Sequence, residues 1–229
     1  MSTFLGPSIS HDTSLVAEYD AADKNSYVSG STSWYDLSGN NNTGVLTNNP
    51  TYSGSNGGYI AFNGSNSCIV INSNALILST VAYTKMTWFY TTNLGLSNNL
   101  IAGGNFTQHT FWLAGTTHLT SGHNGSWSTV VGATTLSTNT WYHGAVTFNT
   151  TTGWVLYLNG QQDGSNASTT TFLTTGGGTA TGGEILLGCY STGGNPFGGG
   201  MSCAQVYNRA LTTTEILQNY NTQKARFGL

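Results

Sequence analysis

The chain has 229 residues, enough to build one β-sandwich with a substantial core. Charged residues make up only 6% of it, against about 25% in an average soluble chain, so solubility falls to Ser, Thr, Asn and Gly. The formal net charge is -3, and Lys24, Lys85, Arg209, Lys224 and Arg226 are scattered, which excludes a phosphate-tracking nucleic-acid surface. The longest apolar runs, 75–78 and 185–187, are far too short to span a bilayer.

Residues 1–13 carry few strand signals. Their opening, Met1-Ser2-Thr3-Phe4-Leu5-Gly6-Pro7, has neither the basic nor the apolar stretch of a secretory signal. They read as an N-terminal arm, either an anchor on a partner or a frayed end. The remainder, 14–229, reads as one domain. Strand-like runs, alternating or short and apolar between turn clusters, fall at 15–19, 59–62, 68–71, 86–91, 100–103, 110–113 and 118–121. Others follow at 141–148, 154–158, 184–189 and 201–207. Asn159-Gly160 between alternating segments is a hairpin signal, because both residues accept the positive φ of a type I′ turn. Glycine-rich 176–178, 182–183 and 193–200 read as loops. Thr212-Thr213-Thr214-Glu215 is a capping box, and Ile216, Leu217 and Tyr220 follow at helical spacing, so one helix is expected to end near Gln223. Many short strands with turn chemistry between them predict a sandwich or barrel.

Three cysteines, Cys68, Cys189 and Cys203, form no CxxC and no Cys/His metal pattern. Their odd number rules out full internal pairing. Buried free thiols are the expectation, with a Cys189–Cys203 bridge as the alternative.

Several segments in order resemble the laminin-G-like branch of the concanavalin A-like lectin/glucanase superfamily, in the form found in tailed-phage structural proteins. They are Leu15-Val16-Ala17-Glu18-Tyr19-Asp20, Trp34-Tyr35-Asp36-Leu37-Ser38-Gly39-Asn40, Gly58-Tyr59-Ile60-Ala61-Phe62-Asn63-Gly64, Asn139-Thr140-Trp141-Tyr142-His143, the Tyr157-Leu158-Asn159-Gly160 hairpin, and Val206-Tyr207-Asn208-Arg209-Ala210-Leu211. The closing Lys224-Ala225-Arg226-Phe227-Gly228-Leu229 is similar to the tail of phage members. The resemblance implies an all-β, antiparallel jelly-roll β-sandwich with one short C-terminal helix. Asp36 and Asn63 themselves read first as turn residues bonding nearby backbone N–H groups.

The superfamily includes glycosidases, which need two carboxylates flanking the scissile bond. Laminarinase-type members carry them as Glu-x-Asp-x-x-Glu. Glu18 and Asp20 are the only acids here at i and i+2; they sit at the end of a strand with no third acid beyond. Neither a Gly-x-Ser-x-Gly elbow nor a Cys–His signature accompanies the five histidines His11, His109, His118, His123 and His143. The expectation is therefore a non-enzymatic protein.

The resemblance also implies one calcium ion at the sandwich rim, for which Asp20, Asp23, Asp36 and Asn63 are the candidate ligands. It implies carbohydrate binding, which pairs a flat ring with amides and hydroxyls. Trp112, His123, Asn124 and Trp127 offer that chemistry, as does Tyr190 in the loop that follows it, with Trp127 the best candidate for an exposed ring. Trp88, Trp141 and Trp154 lie within strand runs and read as core. The leading expectation is a virion structural protein, a phage head decoration or tail-fibre component on the particle surface. Its partners would be other capsid or tail proteins, cell-surface glycans and further copies of itself. A soluble lectin-like module is the alternative, and a glycoside hydrolase a third.

Overall fold

The computed structural model describes residues 11–71, 81–103, 110–113, 115, 117–123, 126–170, 185–190 and 194–229, with Trp127 described by its backbone alone. The apolar run 75–78, the glycines at 176–178 and 182–183, His109, Asn124, Glu184 and most of the arm lie outside these residues.

Among the described residues, sixteen strands precede one α-helix. The first are β1 (Leu15–Asp20), β2 (Ser33–Trp34), β3 (Gly44–Thr47), β4 (Thr51–Ser53), β5 (Tyr59–Asn63) and β6 (Cys68–Ile71). Next come β7 (Ala82–Thr91), β8 (Ile101–Gly103), β9 (Thr110–Trp112), β10 (Thr120–His123) and β11 (Ser126–Val131). The last are β12 (Tyr142–Asn149), β13 (Gly153–Leu158), β14 (Gln161–Asn166), β15 (Ile185–Leu187) and β16 (Gly198–Tyr207), followed by α1 (Thr213–Gln223). One sheet runs β14-β13-β12-β7-β16-β5-β4, with β1 also paired to β16. The facing layer holds β2-β3-β6-β15-β8, and the bridge Asn99–Trp112 links it to β11-β10-β9. Every strand pair among the described residues is antiparallel, so the expected all-β sandwich with a short C-terminal helix is the fold.

Strand alternation places the core. Along β7, Tyr83 and Phe89 point between the layers, where they meet Ile69, Ile101, Phe148 and Trp154. Met86 and Trp88 point outward and are covered by the C-terminal segment. Lys85, one of the scattered cations, lies on the inner face of β7. It is fully buried in the core, and its Nζ donates to the Ile101 carbonyl at 3.0 Å.

The local predictions at the C-terminal half hold. Asn159 (φ 50°) and Gly160 (φ 77°) close the β13–β14 hairpin. Thr212 Oγ1 accepts from the Glu215 N–H, and the Glu215 carboxylate accepts from the Thr212 N–H at 2.7 Å. Arg209 braces that cap by donating to Glu215 and to Asp12. Ile216 and Leu211 then pack with Leu15, Met86, Tyr157 and Tyr207 on the outer face of the large sheet.

Two expectations are corrected. Residues 198–200, read as part of a loop, open β16: the Tyr90 carbonyl takes the space of a side chain at Gly199, and the rings of Tyr59 and Tyr90 take it at Gly200. Cys68 and Cys189 form a disulfide with a Cα–Cα distance of 5.5 Å, and only Cys203 is free and buried. Register explains the pairing: Leu187 lies opposite Ile69, which brings Cys189 beside Cys68 just past the strand end. Cys203 lies opposite Trp88 in the other layer, so a Cys189–Cys203 bridge would have to cross the core.

Candidate functional site

The acidic and amide residues of the turns hold the backbone. Asp36 Oδ1 accepts from the N–H groups of Glu18 and Ser38, both at 2.9 Å, and its Oδ2 accepts from Asn42 N–H at 2.9 Å and Ser38 Oγ at 2.7 Å. Asn63 Oδ1 accepts from the N–H groups of Ser65, Asn66 and Ser67. Asp20 accepts from Ala22 N–H and from Arg226 at 2.8 Å, and Asp23 accepts from Asn25 N–H. Calcium requires about six to eight oxygens turned toward one point. These four residues turn their oxygens toward four separate sets of donors, and no group of three or more His, Cys, Asp or Glu converges among the described residues. The set expected for calcium does not fit the ion.

Glu18 and Asp20 are likewise engaged. Glu18 is buried, its carboxylate lies 3.0 Å from His11 Nε2, and burial raises its pKa. Asp20 is ion-paired with Arg226.

The residues expected to bind sugar are dispersed. His123 is buried in the core, with its ring 4.4 Å from that of Trp154 and 4.9 Å from that of Phe148. Its Nε2 lies 2.8 Å from the Thr170 carbonyl oxygen, and burial lowers its pKa to about 4. A neutral ring in that setting packs the core and does not face solvent, which corrects its place in the site. Trp112 is half-buried on β9, and Trp127 belongs to strand β11, not to a loop. Tyr190 is half-buried against the Cys68–Cys189 patch on the outside of the smaller sheet. Asn124 lies outside the described residues.

A different group of rings comes together on the outer face of the large sheet. Tyr59 on β5, Tyr90 on β7 and Trp141 just before β12 are each half-buried. The Tyr59 and Tyr90 centroids are 5.5 Å apart, Tyr59 and Trp141 5.5 Å, and Tyr90 and Trp141 4.8 Å, all in edge-to-face arrangement. Burial raises the Tyr90 pKa, and the neighbouring Tyr59 side chain adds in the same direction. Cross-strand register builds the cluster: Gly200 of β16 lies between Ala61 and Tyr90, and a Cβ on it would sit 2.4 Å from the Tyr90 ring and 2.7 Å from the Tyr59 ring. Phe227 closes the opposite side, 4.7 Å from Trp141 and stacked on Trp88 at 4.0 Å. Sequence reading assigned Trp141 to the core and passed over both tyrosines. The available signal was Gly198-Gly199-Gly200 leading into an apolar strand, a mark of close approach by other groups.

The Laminin G 3 family model, described as "Concanavalin A-like lectin/glucanases superfamily", matches residues 56–217, well over half of the chain. No curated protein sequence matches the chain. Among solved structures, the binding domain of Paraclostridial Mosquitocidal Protein 1 is 18% identical with a TM-score of 0.65, over 91% of this chain and 52% of that one. Domain 4 of AbnA, a GH43 extracellular arabinanase from Geobacillus stearothermophilus in complex with arabinotriose, is 18% identical with a TM-score of 0.64, over 89% and 96%. Trypanosoma rangeli sialidase in complex with 2,3-difluorosialic acid is 14% identical with a TM-score of 0.63, over 94% and 34%. The chain thus spans about a third of the sialidase and about half of the mosquitocidal protein chain. These likenesses establish a shared fold.

Proposed function

The chain belongs to the concanavalin A-like lectin/glucanase superfamily, and on that footing we propose that it is a non-enzymatic carbohydrate-binding module. The observation that carries the reading is the half-exposed cluster of Tyr59, Tyr90 and Trp141. Such rings offer flat apolar surface for the C–H face of a sugar, with phenolic hydroxyls at the edge for its hydroxyl groups. The described carboxylates support the non-enzymatic half. Asp12, Asp20 and Glu215 are tied to arginines, Glu18 to His11, Asp36 to backbone N–H groups, Asp23 to the Asn25 N–H and Asp163 to Thr134. The AbnA domain, which shares the fold, is itself in complex with arabinotriose. A glycan array probed with the wild-type chain and with Trp141→Ala tests the reading. Binding lost in the variant supports it; absence of binding to any glycan, or glycan hydrolysis by the purified chain, overturns it.

A second reading concerns context. The closing Lys224–Leu229 segment and the ordered family-like segments favour display on a phage-like particle, as a head decoration or tail-fibre component in several copies. Mass spectrometry of purified particles tests this, and absence of the chain from them overturns it.

A further inference from the structure

Resting on the carbohydrate reading, we infer that the Tyr59–Tyr90–Trp141 face takes uncharged sugars and rejects acidic ones.

The face supplies rings, hydroxyls and little else. Its rim residues Thr51, Asn139 and Thr140 are exposed and uncharged. Its floor is the Gly200 backbone, where two tyrosine rings occupy the space of a side chain. The π-face of an aromatic ring carries negative charge density, which favours polarised C–H groups and disfavours a carboxylate. A site for an acidic sugar therefore needs a cation aimed into it, usually a guanidinium presenting two parallel N–H bonds.

Among the described residues, the charged groups on the C-terminal turn beside this face are already committed. Arg226 donates through Nη1 to Asp20 at 2.8 Å and through Nη2 to Ser202 Oγ at 2.7 Å. Its Nε is buried, near the position a Cβ on Gly57 would occupy. Lys224 sets its Nζ over the Tyr220 ring at 5.4 Å. A sugar carboxylate would have to break the Arg226–Asp20 pair or remain without a cation, and either outcome costs binding. Uncharged sugars meet no such requirement. They stack on Trp141 and the tyrosine edges and exchange hydroxyl bonds with Tyr59, Tyr90 and the rim, so their binding is insensitive to salt.

Titration calorimetry with arabinotriose, cellotriose and maltotriose, and separately with 3′-sialyllactose, at low and high salt, tests the inference. At least one neutral trisaccharide is expected to bind at both salt concentrations. The affinity should fall at least about tenfold in Trp141→Ala and largely survive in Trp141→Phe, which keeps a stacking ring. Because Trp141→Ala could perturb the Phe227 contact, Tyr90→Phe provides a second variant that keeps every ring and removes one hydroxyl. Its affinity should fall severalfold. Preferred, salt-sensitive binding of 3′-sialyllactose overturns the inference and leaves the carbohydrate reading standing. Neutral binding that ignores both Trp141→Ala and Tyr90→Phe overturns the assignment of the face. Failure of every glycan overturns both.

Discussion

Gly200 and Tyr90 are opposite one another across the β16–β7 pair, and the tyrosine ring fills the space of the missing side chain. A Cβ there would meet Tyr90 at 2.4 Å and Tyr59 at 2.7 Å, closer than real contacts allow. Gly200→Ala must therefore push both rings outward. It should cost about 1–3 kcal/mol by overpacking. It should also weaken glycan binding without touching a ligand-facing atom. Urea denaturation and calorimetry on the same sample would read both effects; an unchanged midpoint would contradict the packing described here.

The Cys68–Cys189 disulfide spans 121 residues of sequence. Cross-linking so long a loop restricts the unfolded chain, so the double variant Cys68→Ser/Cys189→Ser should lose about 4 kcal/mol of stability. Thiol titration gives an independent check. Native protein should react slowly, because Cys203 is buried, and unfolded unreduced protein should reveal one thiol. Three thiols without reductant would refute the pairing.

His143 is fully buried beside Trp88, and burial lowers its pKa to about 3. In the unfolded chain the imidazole protonates near its ordinary value of about 6.5. Below that value the unfolded state binds the proton that the folded state refuses, so stability falls with pH until about pH 3. The loss from this residue between pH 7 and pH 5 should be about 2 kcal/mol, and His123 adds in the same direction. Glu18, whose pKa is raised, acts with the opposite sign as carboxylates begin to protonate. Chemical denaturation at several pH values, on wild type and His143→Gln, would show a shallower acid slope in the variant. Parallel curves would exclude His143 as a source.

The Thr212 capping box and the Arg209 bonds to Glu215 and Asp12 fasten α1 to the sheet. Thr212→Ala should cost about 1 kcal/mol. Since α1 and the turn after it carry Tyr220 and Phe227 onto Trp88, hydrogen exchange should quicken there first. Exchange accelerating instead in β12 and β13 alone would argue against this coupling.

Local chemistry made much of this fold legible in the sequence. Asn159-Gly160 and Thr212–Glu215 each contain every residue their turn or cap requires, so neither depended on distant packing. Strands β2, β3, β4 and β11 were not anticipated; the first three are two to four residues long and gain their identity from register with neighbours, such as Val45 opposite Val70. The disulfide was hidden for the same reason, since it depends on β6 and β15 being adjacent. The candidate site was the least legible part. Tyr59, Tyr90 and Trp141 lie on three segments far apart in sequence, and only β16 running between β5 and β7 brings two of them over one glycine. His123 shows the converse: a histidine beside Asn124-Gly125 suggests an open loop, yet the β10 register turns its ring inward onto Trp154.

In the proposed carbohydrate reading, Trp141 and its two tyrosine neighbours hold the sugar. The most direct measurement follows the indole N–H signals of the six tryptophans by ¹H–¹⁵N NMR during titration with a glycan identified on the array. The Trp141 signal should shift in a saturable way while those of Trp112 and Trp127 stay in place. Saturable shifts at Trp112 or Trp127 with Trp141 unmoved would contradict it.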